Sequence, residues 1–410
     1  MDYQASERTI TTRCCIAGGG PAGMMLGLLL ARAGVKVTVL EKHPDFLRDF
    51  RGDTVHPSTL EILRQIGLKR RFDEIPQQRV EQIKAQFADG RYPIIDFRRI
   101  RPFPYLALVP QWDFLDFLAD EARKYPNFEL RMRTEVASLI YQGERVAGVT
   151  AVSPEGYLRV NADIVVGCDG RHSTVRAESG LTTVDLGAPM DVLWFRLPRE
   201  KTDTTESFGV IGRGHFFALL QRGEYWQIAY VIPKGSSTSL RHAPLENFRA
   251  EVGRQVTFLA DRTHALESWD DVKLLEVRVD RLKRWYEPGL LMIGDAAHAM
   301  SPIGGVGINL AIQDAVAAAN ALAPALQRGA TPSTKILSSV QLRREIPTRV
   351  VQAIQVQIQD RVIAPALRAN DDGHPLPIPP FLRNVLKSQA VRSVPARIFG
   401  LGVLPERVKI

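Results

Sequence analysis

Short apolar runs that end in glycine-rich turns recur along the chain and predict strands feeding into helices. Residues 14–17 form one such run, Gly18-Gly19-Gly20-Pro21-Ala22-Gly23 follows, and residues 24–33 are rich in Leu, Met and Ala. Gly34 closes that helix, and residues 35–40 alternate apolar and polar before Glu41. Period and punctuation read this as a strand–helix–strand unit. The helix has almost no polar face, so it belongs in the interior.

The same reading places a helix over residues 56–67 and an amphipathic helix over 112–124. Strands and turns are expected over 80–109, and short strands over 128–131, 135–141, 145–152, 157–160 and 164–168. Three aromatic-rich strands follow, at 192–197, 216–221 and 225–232, with a helical stretch at 244–266. A buried strand at 290–293 runs into Gly294-Asp295, and a long Ala-rich helix covers 308–326. A further helix covers about 335–367. The Pro-rich stretch 371–380 reads as an irregular linker.

Composition narrows the picture little. The 410 residues are 45% hydrophobic and 24% charged, ordinary globular values that exclude a disordered or collagen-like chain. The net charge of +8 suits an anionic ligand without choosing one, and residues 361–410 carry eight Lys or Arg against three acids. Three cysteines without metal or disulfide spacing point to a reducing cytoplasm. The first residues lack the character of a signal peptide, and the apolar run 24–31 is too short to span a bilayer.

The chemistry lies in three turns. Gly18, Gly20 and Gly23 make G-x-G-x-x-G between a strand and a helix. The first allows the tight turn, the second lets backbone approach a pyrophosphate, and the third permits close helix–strand packing. The helix N-terminus then offers N–H groups and a positive dipole end to a diphosphate. Glu41, 18 residues after Gly23, is placed for ribose hydroxyls. The second turn is Asp169-Gly170, after the strand 164–168; the third is Gly294-Asp295, continued by Pro302-Ile303-Gly304-Gly305-Val306-Gly307.

Together these turns resemble the single-component FAD-dependent aromatic hydroxylases of the para-hydroxybenzoate hydroxylase type, over roughly residues 12–330. The resemblance implies an α/β fold: a Rossmann-like FAD-binding domain with a parallel sheet (1–78, 109–182, 276–330), a mixed-sheet substrate domain (79–108, 183–275) and a helical C-terminal region and tail (331–410). It implies FAD contacts at Gly18, Gly20, Pro21, Ala22, Gly23, Glu41, Lys42, Arg51, Gln111, Asp169, Gly170, Gly294, Asp295, Pro302, Gly304, Gly307, Ile308 and Asn309. NADPH or NADH would be a transient co-substrate, and a flavin C4a-hydroperoxide would hydroxylate a phenol-like or polyketide-like ring using O2. Pro302 and His56 are the candidate catalytic positions, with no metal involved.

The aromatic strands are the expected wall of the substrate pocket, with Trp194, Arg196, Phe217, Trp226 and Tyr230 as candidates. Period two puts Trp194 and Arg196 on one face, and Trp226 and Tyr230 on one face, without saying which face meets the flavin. Partners are expected to be the aromatic substrate and O2, with no nucleic acid and no integral membrane span, in a monomer or homodimer. Rival readings on the same fold are a halogenase, whose W-x-W-x-I-P motif is lacking here, and a reductase or cyclase acting on an isoprenoid with the tail on a membrane. A flavin-binding regulator without turnover is the third.

Overall fold

Strand Arg8–Ala17 is the centre from which the main sheet is built. In the computed structural model, which describes residues 8–47, 54–369, 377–378, 383 and 387–410, it pairs in parallel with Val37–Leu40 on one side and Gly156–Gly167 on the other. Phe128–Arg131 and Leu290–Met292 extend the parallel array outward. Tyr286–Glu287 closes one edge in antiparallel fashion. The two strands expected at 157–160 and 164–168 are one, Gly156–Gly167, because its first half pairs with the hairpin strand Arg145–Ser153 and its second half with Leu290–Met292.

The helix Pro21–Arg32 is buried from Ala22 to Ala31. It shares one apolar core with the helix Gly307–Gln327 and with Leu115, Leu118 and Ala119 of the helix Gln111–Ala122. Parallel strands covered by helices expose little backbone to water, which is why they read as unbroken apolar runs.

A second sheet of seven strands carries the aromatic segments. Its order is Lys273–Leu275, Met190–Pro198, Tyr225–Pro233, Phe216–Gln221, Phe208–Ile211, Gln82–Phe87 and Gly90–Asp96. All its pairings are antiparallel except that of Phe208–Ile211 with Gln82–Phe87, so the sheet is mixed as expected. Strands from residues 82–96 and 190–275 thus meet in one sheet.

The two faces of this sheet differ. Phe217, Trp226 and Tyr230 lie on the face covered by the helix Leu245–Gln255 and the 3-10 turns Thr257–Ala265, in a core with Phe195 and Phe248. Phe217 stacks on Tyr230 with centroids 4.3 Å apart. Trp226 is fully buried, and its indole N–H donates to Asp203 at 2.9 Å. These three residues therefore depart from the expected substrate wall. Period two fixed which of them share a face, and the bulkiest rings went to the side where helices complete a core. Trp194 and Arg196 lie on the opposite face, where Phe216, Ala218, Ala229 and Val231 meet Ile303 and Leu367.

The helix Thr334–Ile358 continues through a π-turn, Gln359–Ile363, into Ala364–Arg368. The last residues do not hang free. Glu406 is buried, with its carboxylate 2.7 Å from Nε of Arg343, and the Arg407 carbonyl accepts from Asn320 at 2.8 Å. The chain end thus lies along the helix Gly307–Gln327. Ile303–Gln327 is long and apolar enough to cross a bilayer by length and composition, but 83% of that window is buried inside the fold, as a core helix is. Most of the Pro-rich segment 371–380 lies outside the described residues.

Replacing Trp226 by Ala should cost about 3–5 kcal/mol of stability, through the cavity left in the core. FAD retention and coupling of the folded fraction should stay at wild-type values. Chemical denaturation with a peroxide assay checks both; peroxide release raised at unchanged stability would put Trp226 back at the site.

Candidate functional site

Parallel strands deliver their carboxyl ends to one edge, and ligands of such sheets bind beyond that edge. Gly18–Gly20 follows Arg8–Ala17, Glu41 follows Val37–Leu40, Asp169 and Gly170 follow Gly156–Gly167, and Gly294 and Asp295 follow Leu290–Met292. The turns are locked together by close backbone approach. A Cβ on Gly18, whose φ is +99°, would sit 2.5 Å from the Cys168 carbonyl oxygen, and one on Gly23 would sit 2.0 Å from the Gly18 carbonyl oxygen. A Cβ on Gly294 would come within 3.1 Å of Ala22. The three turns thus form one surface.

That surface has room for a dinucleotide. A Cβ on Gly20 or Gly170 would meet nothing within 4 Å. No side chain caps the helix Pro21–Arg32 or the helix Gly307–Gln327, so their first N–H groups await an anion or a polar ring edge. Glu41 accepts from the amides of Gly19 at 2.8 Å and His43 at 3.0 Å, which fixes its carboxylate beside the glycine turn. The residues present fit FAD: backbone cradle, acidic ribose partner and two open helix ends at one sheet edge.

Other expected residues fall as follows. Asp169 accepts from Ser173 Oγ at 2.5 Å and Val175 N at 3.0 Å, so it anchors the short helix Thr174–Ser179. Burial raises its carboxyl above the usual range, and those bonds offset part of the rise. Asp295 is partly exposed at the edge, 3.5 Å from Arg171 Nη2. Lys42 is exposed and 3.9 Å from Glu135. Gln111 opens the helix Gln111–Ala122, half-buried. Pro302, Ile303, Gly304 and Gly305 form a half-buried turn ahead of Gly307 and Ile308. Arg51 lies outside the described residues.

His56 and Asn309 both tie the segment 54–59 to its neighbours, while His56 Nε2 is buried without a hydrogen-bond partner. His56 is fully buried, its Nδ1 2.9 Å from the Phe399 carbonyl, where only a protonated nitrogen can donate. Burial lowers its pKa to about 4, despite the opposing bond to Phe399, so the ring is neutral near neutral pH. Asn309 Oδ1 accepts from His56 N at 2.9 Å and Thr59 Oγ at 2.7 Å, and its Nδ2 donates to the Thr54 carbonyl at 3.3 Å. With Thr54 Oγ donating to the Gly305 carbonyl at 2.7 Å, the segment 54–59 is tied to the Pro302 turn.

A family model described as "FAD binding domain" matches residues 11–354. The chain belongs to that family. It is 35% identical to the 6-methylpretetramide 4-monooxygenase of Streptomyces rimosus over 86% of this chain and 84% of that one. It is 26% identical to the para-nitrophenol 4-monooxygenase of Pseudomonas sp. (strain WBC-3), covering 87% and 89%. The solved p-nitrophenol 4-monooxygenase PnpA of Pseudomonas putida DLL-E4 superposes with a TM-score of 0.72 at 20% identity, over 96% of this chain and 94% of that one. The protein is an FAD-dependent monooxygenase.

Behind the flavoprotein's edge lies a charged cluster that sequence reading did not identify. Asp314, fully buried, accepts from Gly294 N at 3.1 Å and Arg344 Nε at 2.9 Å, and lies 2.6 Å from His298 Nε2. Burial would raise its carboxyl, but His298 and Arg344 outweigh that and hold it below the usual range. Arg344 reaches on to Glu406 at 3.5 Å. The Gly294-Asp295 turn is thereby fastened to the helix Thr334–Ile358 and the chain end. The spacing of Asp314 behind the Gly-Asp motif was visible, but a lone acid in an Ala-rich helix carried no signal of its own. Among the described residues, no group of three or more His, Cys, Asp or Glu is placed to hold a metal ion.

Gly20→Asp should fold normally, because the new side chain meets open space, yet purify without FAD, since a carboxylate would face the diphosphate. Visible absorbance and a thermal melt test this; a yellow variant would refute the assigned phosphate position. His56 yields a pH effect. Its unfolded pKa near 6.5 exceeds the folded value of about 4, so the unfolded chain binds the extra proton in that window. Stability from His56 is complete above about 6.5 and is lost as pH falls to about 4, on the order of 3 kcal/mol in all. His56→Phe should flatten that part of a stability–pH profile, and an unchanged slope would count against it.

Proposed function

We propose that the protein hydroxylates a neutral, fused-ring aromatic of the polyketide type. One observation carries this reading. Across five strands of the second sheet, a single cross-strand row reads Trp194, Ala229, Ala218, Gly209, Ala85 on the face towards Ile303. The floor from Ala229 to Gly209 spans two interstrand steps, about 10 Å, with no side chain larger than methyl. Trp194 closes one end, and Ile378, packed on Ala85, closes the other. Val192, Val231 and Phe216 border one side, and Arg196, Gln227 and Leu220 border the other.

We take this row as the floor of a trough beside Ile303 that would seat several fused rings and hold a single ring loosely. Arg196 sits at the rim, its guanidinium over Tyr225 at 4.6 Å and Trp112 at 5.8 Å, rather than on the floor. Among the described residues, the trough therefore offers no central cation to a carboxylate. The indole Nε1 of Trp194 is buried without a hydrogen-bond partner, and an unmet donor favours a ligand oxygen there. The 35% identity to a monooxygenase named for 6-methylpretetramide supports the same substrate class.

Bound FAD supplies hydride acceptance from NAD(P)H and the activation of O2 for transfer of one oxygen atom to the ring. The chain's part is to hold and dry the site. The glycine turn and Glu41 would hold the adenosine diphosphate, and Gly304, with φ +78°, shapes the turn that would meet the ring system. The apolar trough positions substrate and excludes water, whose entry diverts reducing equivalents to peroxide. Pro302 and Ile303, in the turn that meets the second sheet, would separate cofactor from substrate, and we assign no general base. We further propose a cytoplasmic monomer or homodimer, consistent with three buried, unpaired cysteines. The domain division at 79–108, 183–275 and 331–410 is retained on the same basis.

Ala218→Leu should raise the floor and abolish turnover of fused-ring phenols while leaving FAD bound. Trp194→Phe should raise KM for oxygenated substrates roughly three- to tenfold, the worth of one hydrogen bond. Assays of NAD(P)H oxidation with mass detection of a product one oxygen heavier test both. Equal activity of Ala218→Leu on fused and single rings would remove the trough from recognition, and an unoxygenated product would favour a reductase or cyclase.

A further inference from the structure

Residues 299–303 lead into the Pro302 turn without a strand to pair their carbonyls. A helix supplies the missing partners. Gln352 Nε2 donates to the carbonyls of Asp280 at 2.8 Å and Ala299 at 3.0 Å. Gln355 Nε2 donates to those of Ser301 at 2.9 Å and Ile303 at 2.8 Å. Gln359 Nε2 donates to Ser301 Oγ at 3.0 Å. All three glutamines are buried, at spacings of three and four along one helical face.

One primary amide carries two N–H donors, so one Gln355 side chain can hold both carbonyls that flank Pro302. Buried carbonyls left unpaired would be costly, so the turn has one favoured position set by the helix. The π-turn Gln359–Ile363 begins at the last of these glutamines, and the same helix end supplies Val356 and Ile358 to the cluster around Trp194. Such π-turns often sit at functional sites.

We propose that Gln355, supported by Gln352 and Gln359, is a positioning residue that sets the flavin-facing turn Pro302–Gly305 relative to the substrate sheet. This rests on the flavin lying against that turn. Gln355 touches neither cofactor nor substrate in this role; it acts through the carbonyls of Ser301 and Ile303. The helix that anchors Gly294 through Arg344 and Asp314 therefore also anchors the second flavin-side turn.

The test compares purified holoenzymes. Gln355→Met keeps the length and burial of the side chain but removes both donors. Gln341→Met is the control: it sits on the same helix, and its amide instead serves Lys283 and Trp285, away from the turn. Gly304→Ala perturbs the turn directly, since its Cβ would meet Phe399 at 3.3 Å. Each is read by visible flavin spectrum, flavin reduction potential, melting temperature, and peroxide released per NAD(P)H. Gln355→Met and Gly304→Ala should both shift spectrum and potential and raise the peroxide fraction severalfold, while Gln341→Met changes only the melting temperature.

If Gln355→Met matches wild type while Gly304→Ala does not, the clamp is wrong. An equal shift in Gln341→Met would make the effect general loosening and also overturn it. If neither Gln355→Met nor Gly304→Ala moves the spectrum, the flavin does not lie against this turn and the proposal falls with that placement. Should Gln355→Met fail to fold, Gln359→Met carries the same comparison with a smaller shift expected.

Discussion

The contact on which the site depends is the approach of the Gly18 backbone to the Cys168–Asp169 peptide. Ala17 pairs with Gly167 in parallel register, and the Cys168 amide donates to the Ala17 carbonyl at 2.7 Å, so two strands end together. Any Cβ at position 18 would collide with the Cys168 carbonyl, so glycine alone allows the two turns to share an edge. Gly23 against Gly18 and Gly294 against Ala22 extend the same logic to the first helix and the third strand. A dinucleotide longer than any one turn needs all three at once. The sheet supplies that by the direction of its strands, and the glycines by the absence of side chains.

Turns at strand ends leave polar backbone without ladder partners, and this chain meets the cost with side chains from far along the sequence. Asp314 takes the Gly294 amide, and the glutamines of the helix Thr334–Ile358 take carbonyls between 280 and 303. A buried carboxylate is tolerable there only because Arg344 and His298 flank it. The helix is therefore bonded directly to the FAD-binding core. The buried Glu406 beside Arg343 and Arg344 draws the last residues of the chain into the same network.

Much of this was legible in the sequence, and the illegible parts share a cause. Apolar runs ending in glycine marked the parallel strands, and their order of turns marked the family, because both signals are local. The strand Gly156–Gly167 was read as two because Asn161 and Asp163 interrupt its apolar pattern where it changes partners. Period two grouped Trp226 with Tyr230 correctly but could not say which side of the sheet faced the cofactor; only the covering helices decide that. Gln352 and Gln355 resemble a solvated helix face, and Asp314 resembles an ordinary polar residue in a long helix. Their partners lie thirty or more residues away in most cases, and no local pattern reports them. For His56 the converse holds: a histidine beside a motif is visible in sequence, while the carbonyl of Phe399 that engages its Nδ1 is not.

The second sheet divides its side chains between two differently packed faces by alternation alone. Its far face carries the large rings, held by helices and by the buried Asp203, whose carboxyl is lowered to about 2: burial opposes that shift, but Arg262 and the Trp226 indole outweigh it. Its near face carries glycine and alanine in one continuous row. Enlarging a near-face residue by a few atoms alters the volume offered to a ligand without touching the far-face core, because successive side chains point to opposite sides. Enlarging or trimming a far-face ring instead spends stability and leaves the trough as it was. Changes at Ala218, Ala229 or Gly209 therefore act on the near face alone, while the sheet edge fixed by glycines and buried polar groups stays constant.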